Sequence, residues 1–230
     1  MNMSSLRVLL FSLLVFALSG NAIGEKSILL LPKKKTKGPL SLEETIASRR
    51  TQRDFQAKPL MLEELAQLLW AAQGITGADG TLRAAPSGGA LYPLDVYAVV
   101  GDTSVEGLAS GVYRYLPSRH GLEKVTSGDL RDAMARASLR QMWIADAPVS
   151  LVLTAEYRRI EGKYGPRGRR YALIEVGHAG QNIFLQAEAL GLGAGIVGAF
   201  DDAGLAKALH LPRGHEPLIV MPVGHPRKRQ

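Results

Sequence analysis

An α+β architecture, a sheet with helices packed on it, is what this sequence predicts, and three observations carry the prediction. Some segments follow the 3.6-residue apolar period of helices and others form the β-rich apolar runs of strands. The two kinds do not alternate at short period, so no doubly wound parallel sheet is demanded. The chain has 230 residues, 46% of them hydrophobic and 21% charged, an ordinary globular balance with enough length to bury one core.

The elements follow in chain order. Met1 to Gly24 is expected to be an export signal or an N-terminal anchor, because Arg7 precedes the apolar run Val8 to Leu18 and small residues, among them Ala22 and Gly24, follow it. The domain is therefore expected to be exported, or attached to a membrane through that end alone. Residues 25–37, with Lys33, Lys34, Lys35 and Lys37, read as a basic linker, and the folded domain as 38–230. Ser41-Leu-Glu-Glu44 fits a capping box opening a helix that reaches Ser48. Leu65, Leu68, Leu69 and Ala72 place a second helix, with Gly74 set to stop it.

Strands are expected at Asp95 to Gly101, Val112 to Leu116, Val149 to Tyr157, near Ala194 to Val197, and at Leu218 to Val223. Helices are expected at Asp129 to Ser138, Tyr171 to Leu190 and Asp202 to Leu209. The long helix carries one stripe, Val176, Gly180, Ile183, Ala187 and Leu190, and its small residues Gly177, Ala179, Gly180 and Ala189 suit close packing against another element. The stretch between Glu156 and Arg170, rich in Arg, Gly and Tyr, reads only as a lid.

Composition excludes several functions. The chain has no cysteine, which removes disulfides, zinc–thiolate and iron–sulfur sites and thiol catalysis. Its net charge of +7 is terminal: once Arg7, the four linker lysines, Arg227, Lys228 and Arg229 are set aside, Gly38 to Pro226 carries about −1. Such a surface is no nucleic-acid groove. The histidines at 120, 178, 210, 215 and 225 show no metal-ligand spacing, and His178 reads as an interior or interface residue.

Three segments could carry chemistry. Arg49-Arg50-Thr51-Gln52-Arg53 packs three guanidinium forks into five residues, an anion clamp or a solvated helix end. Pro86-Ser87-Gly88-Gly89 leaves backbone amides free for a ligand, or simply turns the chain. Ser87 lacks the G-x-S-x-G setting of a hydrolase nucleophile. Gly193-Ala-Gly195-Ile-Val-Gly198 matches G-x-G-x-x-G but follows a helix and enters a strand, the reverse of a dinucleotide fold.

Taken together, the arginine cluster ending at Phe55, Pro86 to Gly89, Gly177-His178-x-x-Gln181-Asn182, Gly191-Leu-Gly193, Val197 to Asp201 and Pro222-Val-Gly224 form a collinear series that resembles the nitroreductase-like flavoproteins. The form Pro-Ser-Gly-Gly-Ala-x-Tyr-Pro-Leu resembles their SagB-type dehydrogenase subgroup, which includes azoline-oxidising enzymes of peptide maturation.

The resemblance implies a mostly antiparallel central sheet flanked by helices, in an intertwined homodimer with FMN at the subunit interface. It implies that Arg49, Arg50, Thr51 and Arg53, with Arg227 or Arg229, hold the phosphate and ribityl chain. Pro86, Ser87, Gly88 and Gly89 would reach the flavin ring from the partner chain. Gln141 would meet the pyrimidine edge, and Val197, Gly198 and Ala199 would lie beside N5. Arg170 and Tyr171 stand near the position of a lysine and a tyrosine in azoline oxidases. The implied activity is ping-pong hydride transfer from NAD(P)H or another donor to a small organic acceptor. A non-catalytic flavin-sequestering protein of the same fold is the alternative.

Overall fold

The computed structural model describes residues 28–227; the expected signal at 1–24 lies outside them, as does Arg229. A single seven-stranded sheet organises the domain. Its strands are β1 (Ile28–Leu30), β2 (Leu94–Val100), β3 (Gly111–Leu116), β4 (Gly121–Ser127), β5 (Val149–Ala155), β6 (Gly193–Ala194) and β7 (Glu216–Gly224). They lie in the order β1-β4-β3-β2-β5-β7-β6, and every neighbouring pair is antiparallel.

The central strands are covered on both faces, which is why β2 and β5 are buried at every residue. Alternation splits their side chains between two cores. Val96, Ala98, Leu151 and Leu153 point to one core with α2 (Leu62–Gln73) and α6 (Arg167–Ala189). Tyr97, Val99 and Val152 point to the other, with α3 (Arg131–Ala137), α4 (Trp143–Asp146) and α7 (Asp202–Ala208).

Local chemistry sets the helix ends. The Glu44 amide donates to Ser41 Oγ at 3.1 Å and the Ser41 amide to Glu44 Oε2 at 2.7 Å, completing the capping box that opens α1 (Leu42–Ser48). Gly74 ends α2, though not through a left-handed turn: its φ is −68°. A Cβ there would lie 2.1 Å from Trp70 Cδ1, so the absence of a side chain is what lets the chain leave past the tryptophan.

Residues 28–37 are part of the domain rather than a linker. Leu29 pairs with Leu122 of β4, the Leu31 amide donates to the His120 carbonyl, and Gln67 brackets the Lys35 backbone from both sides, each bond 2.9 Å long. The lysine run hides this because β1 has only three residues at a sheet edge, two of them exposed. β4, α4 and α5 (Arg158–Tyr164) are three more elements absent from the sequence reading. The long helix also begins at Arg167, just after Pro166, a residue suited to a helix start.

Along the buried stripe of α6, a Cβ on Gly180 would stand 3.3 Å from Ile219 Cδ1 and 3.6 Å from Met221 Sδ. Glycine therefore sets how closely α6 approaches β7. Gly180→Leu is expected to cost about 2 kcal/mol through overpacking, seen as a melting temperature lower by about 4–8 °C. A thermal melt matching the parent chain contradicts this packing.

Candidate functional site

The arginine-rich segment leaves α1 and runs beside β6. Thr51 bridges Ala194 in parallel register, and the Gln52 amide donates to the Ala194 carbonyl at 2.8 Å. This close approach requires the glycines of the G-x-G-x-x-G stretch. A Cβ on Gly193 would lie 2.6 Å from Gln52 Cγ, and one on Gly195 would lie 2.8 Å from both the Gln52 carbonyl oxygen and Trp143 Cη2. Gly193 and Gly195 let the arginine-rich segment pack against β6 instead of cradling a dinucleotide.

Arg49, Arg53 and Gln141 lie around this surface with the ribbon that follows β6. Arg49 is half-buried with its guanidinium 5.1 Å from the Phe184 ring centre, and Arg53 is exposed above Trp143 at 5.8 Å. Exposed Arg50 folds back on the carbonyls of Ala47 and Arg49. Gln141 Nε2 donates to the carbonyls of Ser138 and Ala199 at 3.0 and 3.1 Å, which leaves its Oε1 to accept from a ligand. Val197 is buried and exchanges backbone bonds with Val220, so Ile196, Gly198 and Ala199 are the residues turned outward. A Cβ on Gly198 would have no heavy atom within 4 Å.

Arg227 reaches the same segment from the C-terminus. Its Nε lies 3.2 Å from Asp54 Oδ1 and its Nη2 donates to the Phe55 carbonyl. It braces the arginine segment and is itself largely exposed. Trp143, which floors this surface with Gly195, was not singled out in the sequence. The Gly195 signal was present in the glycine spacing, once read as close packing.

Pro86 to Gly89 is held elsewhere, against α5 and the first half of α6. The Gly88 amide donates to Glu175 Oε1 at 2.9 Å, and the Tyr92 amide donates to Ser87 Oγ. Ser87 is thus a turn residue without a histidine partner. Glu175 and Phe184, the α6 contacts of the two groups, are nine residues apart, about 13 Å along the helix axis. One chain therefore gathers the arginine cluster with Gln141 and Val197 to Ala199, and holds Pro86 to Gly89 apart from them.

The loop is strained and flanked by polar tips. Gly89, Ala90 and Tyr92 have φ of 63°, 55° and 47°, the left-handed region that costs non-glycine residues of order 1–3 kcal/mol each. A Cβ on Gly89 would be 2.8 Å from Tyr164 Oη and 3.0 Å from Lys163 Nζ. Tyr171 packs edge-on against Tyr164, ring centres 5.0 Å apart, and would approach a Gly88 Cβ to 3.7 Å. Arg170 lies exposed on α6. Lys163 and Tyr164 of α5 and Tyr171 of α6 thus lie against the loop, whereas Arg170 makes no contact with it at these glycines. His178 is likewise exposed on the outer face of α6 rather than interior.

One group of possible metal ligands occurs among the described residues, Asp95, Glu156 and His215, with ligand atoms within 4.8 Å of one another. Arg114 and Arg159 already pair with Asp95 at 2.8 and 2.7 Å, and Arg159 with Glu156 at 2.8 Å. Two fixed guanidinium groups repel a cation there, so the cluster is an ion-pair network.

Beneath the loop, Glu175 is 3% exposed and its Oε2 has no hydrogen-bond partner. Burial pushes its carboxyl above the usual range, with the Gly88 and Ser87 contacts opposing. The native state thus holds this proton more tightly than the unfolded chain. That stabilisation is present at low pH and is lost as pH rises through the raised value. Glu175→Gln is expected to melt about 2–4 °C higher than the parent near pH 8, with the gap closing below about pH 4. An equal gap at both pH values contradicts a buried, titrating Glu175.

Residues 46–225 match the model of the Nitroreductase family. A protein assigned to the nitroreductases in Methanocaldococcus jannaschii is 42% identical over 185 residues, spanning 80% of this chain and 91% of that one. The microcin B17-processing protein McbC of Escherichia coli is 32% identical over 165 residues, 70% of this chain and 61% of McbC. Among solved structures, a chain of the E. coli microcin synthetase McbBCD complex with truncated pro-MccB17 bound superposes with a TM-score of 0.71 at 26% identity, covering 95% of this chain and 85% of that one. With its antiparallel sheet, its long central helix and a family match over most of its length, the chain is a member of the Nitroreductase family of oxidoreductases.

Proposed function

We propose that this chain is an FMN-dependent oxidoreductase of SagB type, acting as a homodimer on a small organic acceptor. The observation that carries the proposal is the single surface where Arg49, Arg53, Gln141 and the outward ribbon Ile196 to Ala199 meet. Guanidinium forks suit a phosphate, the free Gln141 Oε1 suits an N–H edge, and the open space at Gly198 leaves room for a flat ring.

A second protomer supplies what one chain keeps apart. Leu173, Ile174, Gly177, His178 and Gln181 leave an exposed face on α6, and Leu42 and Ile46 another on α1. The exposed apolar side chains Leu173, Ile174, Leu42 and Ile46 suit a subunit interface, through which Pro86 to Gly89 of one protomer would reach the arginine cluster of the other.

FMN bound there would supply the redox chemistry, hydride transfer between a nicotinamide or other donor and the acceptor in ping-pong order. The protein's own work is positioning. Arg49 and Arg53 anchor the phosphate, and the Ile196 to Ala199 ribbon sets one wall and excludes water. Lys163 Nζ and Tyr164 Oη stand where a proton can be given or taken at the acceptor. That pair, with the likeness to a microcin-processing protein, also favours a ring borne on a modified peptide as acceptor.

Two measurements test the reading. Fluorescence titration is expected to show FMN bound by the parent chain and weakened at least about tenfold by Arg49→Ala with Arg53→Ala, the loss of charge-assisted bonds worth about 1.5–3 kcal/mol each. NADPH is expected to bleach the flavin band near about 450 nm. FMN bound without reduction by any donor would favour a flavin-sequestering role, and no FMN binding rejects the assignment.

A further inference from the structure

A second pocket, of about 340 Å³, opens where β2 begins and β3 ends. In the sheet order, β5 and β7 separate it from β6 and the arginine cluster. We propose that it binds a small organic carboxylate, held by Arg83.

Three arginines line the pocket, and two are already compensated. Arg114 and Arg159 share the buried Asp95, and Arg159 also pairs with Glu156. Arg83 differs. It is half-buried, its Nη1 donates to the neutral Gln73 Oε1 at 3.1 Å, and among the described residues it makes no ion pair with a carboxylate. Burial lowers its affinity for the proton, yet an arginine stays charged inside a protein. Asp95 and Glu175 act on it only through space, and Asp95 is already shared by Arg114 and Arg159; a half-buried cation with no direct carboxylate partner is a site that an anion would stabilise.

The guanidinium is also held ready. It lies 4.2 Å from the centre of the Tyr92 ring, a cation–π contact that orients its fork without neutralising its charge. Tyr92 is fixed in turn: its hydroxyl donates to the Thr81 carbonyl, its amide to Ser87 Oγ, and its carbonyl accepts from Arg159. Its backbone is held at φ 47°. Such strain persists only where the surroundings over-determine it, as at ligand clamps.

The rest of the lining selects the ligand class. Leu91, Leu116 and Pro117 contribute apolar wall, and the volume lies at the small end of ligand pockets, roughly 300–1,000 Å³. A carboxylate on a short apolar body satisfies both walls. Inorganic phosphate satisfies only the cation.

Isothermal titration of the full chain with hexanoate, hexanamide and inorganic phosphate tests the proposal. Hexanoate is expected to saturate below about 10 mM, with hexanamide and phosphate each weaker by about tenfold or more. Arg83→Gln is expected to weaken hexanoate at least about tenfold, while Arg136→Gln, which changes an exposed charge elsewhere, and Arg49→Ala with Arg53→Ala leave it unchanged. If Arg83→Gln does not fold, Arg83→Lys, which keeps the charge and loses the fork, should show a loss of similar size. Absent hexanoate binding, phosphate binding as tight as hexanoate, or binding indifferent to Arg83 overturns the proposal.

Discussion

The close approach of α6 to β7 is the constraint on which the rest of the structure depends. Ala179, Gly180 and Ile183 are buried on the sheet side of the helix, and at Gly180 nothing larger than hydrogen fits without moving Ile219. With the helix seated this deeply, its other side chains fall where distant segments need partners. Asn182 Nδ2 donates to the carbonyls of Ala71 and Ala84, and the Gln67 amide of α2 donates to Gln186. Glu175 receives the Gly88 amide and Phe184 lies under Arg49. One helix thus sets the position of both halves of the candidate site, although the two halves do not touch within a chain.

Closeness elsewhere comes by the same means. Gly193 and Gly195 bring the arginine segment against β6, so three guanidinium groups are presented by backbone packed on backbone and not by a loose loop. Rigid presentation limits the entropy lost when an anion binds. The loop at Gly88 and Gly89 is the opposite case: its left-handed residues store strain, and the bonds from Gly88 and Tyr92 hold it in place.

Much of this was legible in the sequence, for identifiable reasons. The Ser41 and Glu44 spacing marks a helix start because both side chains act within one turn. The α6 stripe stands out because its period holds from Val176 to Leu190, about four turns. The arginine cluster is visible because its residues are contiguous. What escaped depends on partners distant in the chain. β1 is a strand only because β4 lies beside it, and β4 keeps just two of its seven residues fully buried. Lys163 and Tyr164 became site candidates only when α5 folded against a loop more than seventy residues earlier. Arg83, in the turn before Pro86, offers no signal until the carboxylates of its neighbours are seen to be taken.

The most direct test of the account is sedimentation velocity of the chain with FMN, followed at about 280 nm for protein and about 450 nm for flavin, beside Ile174→Asp on the exposed face of α6. The account predicts a dimeric parent boundary that carries flavin, and a monomeric variant boundary that carries none. A monomer that retains flavin would contradict a site shared between two protomers.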